Sequence, residues 1–204
     1  MNKLFTHTDL DGVGCAIIAK LVYGDEIDIS YCDSSNANRM IENCHPNNYD
    51  HIDITNLSID RKLAKSIDEN YANQVNLFDH RFPSQYLNKY SWADARTKEE
   101  NGGLETSSTK MYYDHIGKYI EDYSKLATES FVKYVTAWET QHQYGDSATY
   151  NIAKNINFLF NIYGIDKFIE WTIEKIKTGF FLNNWAIVSR KIYQEIQENR
   201  HGGF

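Results

Sequence analysis

The sequence is short of cysteine, proline, positive charge and long apolar runs, and each shortage narrows what it can be. Cys15, Cys32 and Cys44 are its three cysteines. The number is odd and the spacing fits no zinc motif, so neither a disulfide framework nor a structural zinc site is expected. The chain reads as a reduced, cytoplasmic protein. No cationic stretch followed by an apolar run opens it, because Asp9 and Asp11 interrupt almost at once. No apolar run reaches the length of a membrane span. Lysine and arginine number 21 against 28 aspartates and glutamates, a formal net charge of -7. Non-specific binding to duplex DNA is therefore not expected, since that binding is driven by neutralising phosphates. A small anionic ligand is still compatible with local positive charge from an ion, an arginine or a helix N-terminus. The two prolines stand among abundant Asn, Ile, Lys and Tyr, a composition compatible with AT-rich coding sequence.

What is present suffices for one α/β domain with added helices: 204 residues, 42% hydrophobic and 14% aromatic. The first half alternates strand and helix signals. Strands are expected at residues 3–6, 26–32, 50–55, 74–78 and, briefly, 91–95. Between them lie an apolar helix over 14–23 closed by Gly24, a weaker one over 38–44, and a third over 60–71 with Asp60 as N-cap. Strands separated by helices of this length imply right-handed crossovers and a parallel sheet. Asn101-Gly102-Gly103 reads as a loop. Beyond it the pattern is helical throughout, with helices expected over 107–123, 125–143, 150–163, 165–178 and 182–199. Aromatics such as Phe131, Trp138, Phe158, Phe160, Trp171 and Trp185 recur there at helical spacing and read as core. The expected organisation is α/β over 1–105, a parallel sheet flanked by helices, followed by a helical subdomain over 106–204 packed on it.

Three charged clusters fall where strands should end: His7/Asp9/Asp11, Asp53/Asn56 and Asp79/His80/Arg81. The carboxyl edge of an open parallel sheet is where ligands bind. Acidic side chains gathered there with histidines suit a divalent cation. Asp9 and Asp11 can both face one site from an extended loop, and Gly12 and Gly14 can let the chain turn tightly into a helix whose N-terminus suits an anion. Each cluster alone would be an ordinary turn or capped loop. Their occurrence in order, after successive strands, is what carries the reading.

The stretch His7-Thr-Asp-Leu-Asp-Gly-Val-Gly-Cys15 resembles the first motif of the DHH phosphoesterases, most of all the bacterial oligoribonuclease (nanoRNase) branch. Ile54-Thr-Asn-Leu57 resembles the second motif and Leu77-Phe-Asp-His-Arg81 the third. Gly103 to Thr109 resembles the loop opening the next helix, and Val132 to Glu139 the fourth motif region. The resemblance covers residues 1 to about 145, with the later helices a looser continuation. It implies a five-stranded parallel sheet and two divalent metals, usually manganese, that activate water for attack on a phosphoester. It also implies metal ligands at His7, Asp9, Asp11, Asn56 and His80, and a catalytic role for Asp79, His80 and Arg81.

The departures fall on those positions. Asn56 stands where a bridging Asp is usual, Arg81 where the last His of Asp-His-His is usual, and Thr136 where a fourth Asp is usual. Asp53, three residues from Asn56 along a strand, should face the other way. Glu139, one helical turn past Thr136, is the better substitute. With two motif carboxylates and two histidines, one manganese ion or none is expected, since two close ions would repel strongly. The substrate-binding domain that follows in full-length relatives is not expected here, and His201 to Phe204 reads as a frayed terminus. Arg81 can act as a bidentate phosphate clamp. The expectation is thus a DHH-like protein with a degenerate metal site, non-catalytic or weakly active, that binds a small phosphate-containing ligand, a short oligonucleotide or a protein partner. The alternative is an active manganese-dependent phosphodiesterase on short oligoribonucleotides or cyclic dinucleotides.

Overall fold

The structure, a computed structural model, describes residues 1–99, 103–144 and 147–200. Five strands form one parallel sheet: β1 (Asn2–His7), β2 (Ile27–Cys32), β3 (Ile52–Thr55), β4 (Val75–Asp79) and β5 (Ala93–Ala95). Their order is β2-β1-β3-β4-β5. The chain leaves β1 to one side and returns to its other side at β3, so strand order reverses between these two neighbours. The carboxyl ends of β1 and β3 therefore flank the crevice where open α/β sheets take ligands.

Each face of the sheet carries its own core. One face packs β3 and β4 against α2 (Ala37–Glu42) and α3 (Arg61–Asn70), through Ile54, Leu63, Ile67 and Leu77. Asp60 caps α3 as expected, its carboxylate accepting from Leu63 N–H at 2.8 Å. The other face is covered by α1 (Leu10–Tyr23), which is buried without a break from Leu10 to Ala19. A helix that is apolar on every side needs a second cover. It gets one from α4 (Ser108–Ile116), α5 (Asp122–Glu139) and, beyond the short α6 (Gln141–Tyr144), α7 (Ala148–Lys177) and α8 (Trp185–Arg200), whose apolar side chains join those of α1 in one cluster. Among the aromatics read as core, Phe131, Phe160 and Trp171 are buried, whereas Phe158 and Trp185 are exposed. Gly164, with φ 69°, breaks α7 into two helical pieces, at the boundary expected between 163 and 165. Asn101 and Gly102 and the tail from His201 lie outside the described residues.

The sequence places the start of α1 too late. The helix begins at Leu10, capped by Asp9, whose carboxylate accepts from Gly12 N–H at 2.9 Å. Asp11 therefore sits in the first helical turn and not on an extended loop. Gly12 and Gly14 do not serve as turn residues either. A Cβ on Gly12 would stand 2.2 Å from the carbonyl oxygen of His7, and one on Gly14 would stand 2.4 Å from Thr109 Oγ1. They are glycines because α1 lies against the end of β1 on one side and against α4 on the other.

Candidate functional site

The crossover geometry brings the ends of β1, β3 and β4 together, and α4 points its N-terminus at them. Buried threonines fix the first motif to the sheet. Thr55 donates to Thr6 at 2.8 Å, and Thr6 donates to the carbonyl of Gly12 at 2.9 Å. These two residues are register partners on β3 and β1, a link that no motif reading supplied.

Asp11 is fully buried, and both its oxygens are engaged. Oδ2 accepts from Ser108 N–H at 2.9 Å and Oδ1 from Thr109 N–H at 2.8 Å. The carboxylate thus occupies the anion position at the N-terminus of α4. His80 Nδ1 lies 3.2 Å from Asp11 Oδ2 and 3.1 Å from Ser108 Oγ. Burial opposes ionisation of Asp11, but the His80 contact and the Thr109 N–H outweigh it and hold the carboxyl below the usual range. Burial likewise works against the His80 imidazolium, and the carboxylates of Asp11, Glu139 and Asp79 overcome it, so His80 is held above the usual imidazole range.

Asp9 faces Asn56 and His7. Asn56 Nδ2 donates to Asp9 Oδ1 at 2.7 Å. Asn56 has φ 52°, a left-handed conformation that asparagine tolerates better than most residues. His7 Nδ1 lies 2.9 Å from Asp9 Oδ2 and 3.3 Å from the Asp9 N–H. It cannot donate to the first and accept from the second. The shorter contact, to a carboxylate, places a proton on Nδ1.

Asp79 is fully buried and committed: Arg81 Nε donates to Oδ1 at 2.9 Å, and Ser84 donates to Oδ2. Ser84 belongs to no motif and was not foreseen. Glu139, at the end of α5, stands 4.0 Å from His80 Nε2, so it reaches the cluster from the helix that carries Thr136. Burial, then the charges of Asp11 and Asp9, hold Glu139 well above the usual carboxylate range. Burial and then the Asp11 charge raise Asp9 as well. The Arg81 charge works against both shifts, so the guanidinium stands as a fixed cation beside the carboxylates. Thr136 does not enter this cluster directly; its hydroxyl lies 2.8 Å from that of Ser107, the N-cap of α4. Asp53 faces away, as expected, and bonds to Tyr112 of α4.

The protein is similar over this whole region to an enzyme of known class. It is 28% identical to oligoribonuclease NrnB of Bacillus subtilis (strain 168) over 194 residues, 91% of this chain and 48% of the relative. The first motif and its fold context now coincide with that likeness. That likeness agrees with the resemblance of the motifs to the DHH phosphoesterases. It spans about half the length of the curated relative it matches. No family model matches it. Its fold is that of an uncharacterized protein from Helicobacter pylori G27, with a TM-score of 0.71 and 17% identity over 98% of this chain and 63% of that one.

The DHH resemblance implies two divalent ions, and the residues present do not fit two. At the bridging position Asn56 offers an N–H to Asp9 and no negative charge. Asp79 is spent on Arg81 and Ser84, and the Arg81 charge, felt at Asp9 and Glu139, opposes a second divalent ion. Among the described residues no group of three or more His, Cys, Asp or Glu side chains is placed to hold a metal ion. The groups not already spent on the fold are His7 Nε2, Asp9 and Glu139, with His80 Nε2 added once its proton is given up.

Proposed function

We propose that this protein binds a phosphate-containing ligand of the short-oligoribonucleotide class at the carboxyl edge of its sheet, with little or no hydrolysis. The observation that carries this reading is Arg81. Its Nε is locked to Asp79, while its buried Nη2 has no hydrogen-bond partner among the described residues. A pre-oriented guanidinium with an unused N–H is suited to a phosphate oxygen, and a buried donor left unmade is costly. His7, Asp9, Asp11 and His80, assisted by Glu139, would accept no more than one divalent ion beside it, manganese being the ion that the resemblance suggests. The oligonucleotide class is supported by the likeness to an oligoribonuclease. A protein partner has no comparable support.

A second reading keeps the enzyme. Glu139 beside His80 restores one carboxylate, and the same likeness favours hydrolysis of short oligoribonucleotides. One experiment separates the two: calorimetry with manganese, followed by hydrolysis assays on a panel of dinucleotides and cyclic dinucleotides, on the natural chain and on Arg81→Ala. Binding of dinucleotide without turnover, lost by at least tenfold in Arg81→Ala, supports the binding reading. Two tightly bound ions with manganese-dependent turnover would replace it with the enzyme.

A further inference from the structure

Arg81 and the residue after it stand just past the carboxyl end of β4, and they differ in what holds them. Arg81 is tied by its Nε to Asp79 at 2.9 Å. Phe82 is 74% exposed and belongs to neither hydrophobic cluster. Apart from Met1, it is the one large apolar side chain that residues 1–99 leave exposed. A single exposed apolar side chain is ordinary on a protein surface. This one is set apart by its place and by its backbone. The Ser84 N–H donates to the Arg81 carbonyl at 3.1 Å, and the Ser84 hydroxyl donates to Asp79. Ser84 is fully buried, and the hydroxyl of Ser58, from the loop after β3, lies 2.7 Å from its own. Between them Pro83 fixes one backbone angle. Arg81 and Ser84 thus fasten both sides of Phe82 to one buried carboxylate, and the ring is presented to solvent from a fixed backbone.

We propose that Phe82 is the platform on which a nucleobase of the ligand stacks while Arg81 holds its phosphate. The proposal rests on the binding reading above and narrows it, from a phosphate-containing ligand to one that carries a base close to that phosphate. Adjacent Cα atoms are about 3.8 Å apart, so a phosphate on the guanidinium and a base on the ring belong to the same or the next nucleotide. An exposed aromatic ring suits this task because every base has a π-face, and stacking on it tolerates any base. The two contacts divide the work. The buried Nη2 of Arg81, without a partner among the described residues, is the charged anchor. Phe82 adds affinity for the base without adding charge, which matters in a chain of net charge -7 that offers phosphates little general attraction. Because the turn is already fastened, little ordering is left to be done on binding.

The test is titration of the full chain with two probes. One is a 5′-phosphorylated dinucleotide carrying 2-aminopurine, whose fluorescence is quenched by stacking. The other is ribose 5-phosphate, which has the phosphate and no base. Both are titrated with and without manganese on the natural chain, Phe82→Ala, Phe82→Trp and Arg81→Ala, each checked for folding by circular dichroism. The dinucleotide should bind at least tenfold more tightly than ribose 5-phosphate, with its fluorescence quenched. Phe82→Ala should weaken dinucleotide binding about 5- to 100-fold, the range for one base–aromatic stack, abolish the quenching, and leave ribose 5-phosphate affinity within twofold. Phe82→Trp should restore both affinity and quenching, and Arg81→Ala should weaken both probes. Dinucleotide affinity unchanged in Phe82→Ala but lost in Arg81→Ala would overturn the platform and leave the binding reading standing. Equal losses for both probes in Phe82→Ala would also overturn it, since the ring would then be acting through Arg81. No dinucleotide binding by the natural chain would overturn both.

Discussion

The two ends of α4 meet the same kinds of side chain and do different things with them. At the amino end every oxygen of Asp11 and Asp79 has a protein donor, and the helix terminus is closed by the first motif itself. At the carboxyl end the Asn76 amide stands among His51, His115 and Asp53. The amino end carries a recognisable phosphoesterase motif, yet its carboxylates work as much on the fold as on any ligand. The carboxyl end carries no motif, and its polar side chains meet one another: Tyr112 donates to Asp53 at 2.7 Å, and His51 lies 3.2 Å from the other oxygen. A motif thus shows which side chains the fold gathers, and the hydrogen bonds they make decide what is left for a ligand.

If the amino end is structural, breaking Asp11 should give the largest loss of stability. Asp11→Ala strands two buried helix N–H groups and leaves His80 without its partner. The expected cost is about 3–5 kcal/mol, the range for removing one member of a buried charged pair, read as a drop in the urea midpoint without metal. His115→Ala, at the other end, removes an exposed ring that packs on Phe78 and should cost about 1 kcal/mol or less. Equal losses at both ends would dissolve the contrast.

Gly14→Ala probes the same interface by crowding it. The new Cβ would meet Thr109 Oγ1 at 2.4 Å. Thr109 cannot easily give way, because its hydroxyl donates to the carbonyl of Asp11 at 2.6 Å and its N–H is held by the Asp11 carboxylate. The expected cost is about 1–3 kcal/mol, as for an overpacked core. A melting temperature within a degree of the natural chain would show that α1 and α4 slide more freely than this geometry allows.

Asn56→Asp changes the charge at the amino end. It exchanges the N–H that Asp9 receives at 2.7 Å for a second carboxylate. Metal-free stability should fall by about 1 kcal/mol from like-charge repulsion in a partly buried site, and manganese should restore it by binding the folded state. The natural chain should gain less from the same manganese. A metal-free melting temperature unchanged in Asn56→Asp, with no manganese response, would show that Asn56 does not line a cation site.

Much of this was legible from the sequence, for reasons that also set its limit. The five strands and the Asp60 cap follow from period-two alternation and local capping chemistry, which depend on neighbours in sequence. The convergence of Asp9, Asp11, Asn56 and His80 followed from placing motifs at strand ends, and Glu139 from helical spacing. The missed features are long-range. Gly12 and Gly14 were read as turn residues because close approach of His7 and Thr109 leaves no local mark. Ser84 finds Asp79 only through the turn after β4. His115 reaches His51 and Asp53 only once α4 has crossed the sheet from one edge to the other.

The smallest expected effect lies at the amino edge of the sheet, on the β1–β2 pair. Lys3, with a side chain only 7% exposed, donates to Asp28 Oδ2 at 2.8 Å, and Tyr49 donates to the same oxygen at 2.6 Å. Burial pushes the Asp28 carboxyl up, but the Lys3 ammonium and the Tyr49 hydroxyl hold it below its ordinary value of 3.8. A carboxyl depressed by folding contributes stability that is fully present above its unfolded value and lost as pH falls through its folded one. The Asp28 side chain is 37% exposed, so solvent screening limits the contribution to roughly 0.5–1 kcal/mol. Asp28→Asn should therefore lower the urea midpoint slightly at pH 7, and the gap from the natural chain should close between about pH 4 and pH 3 as Asp28 itself loses its charge. A gap that persists at pH 3 would mean that Asp28 acts through packing, and that the ammonium of Lys3 is held by Ser30, its second acceptor at 2.7 Å, without need of a counter-charge.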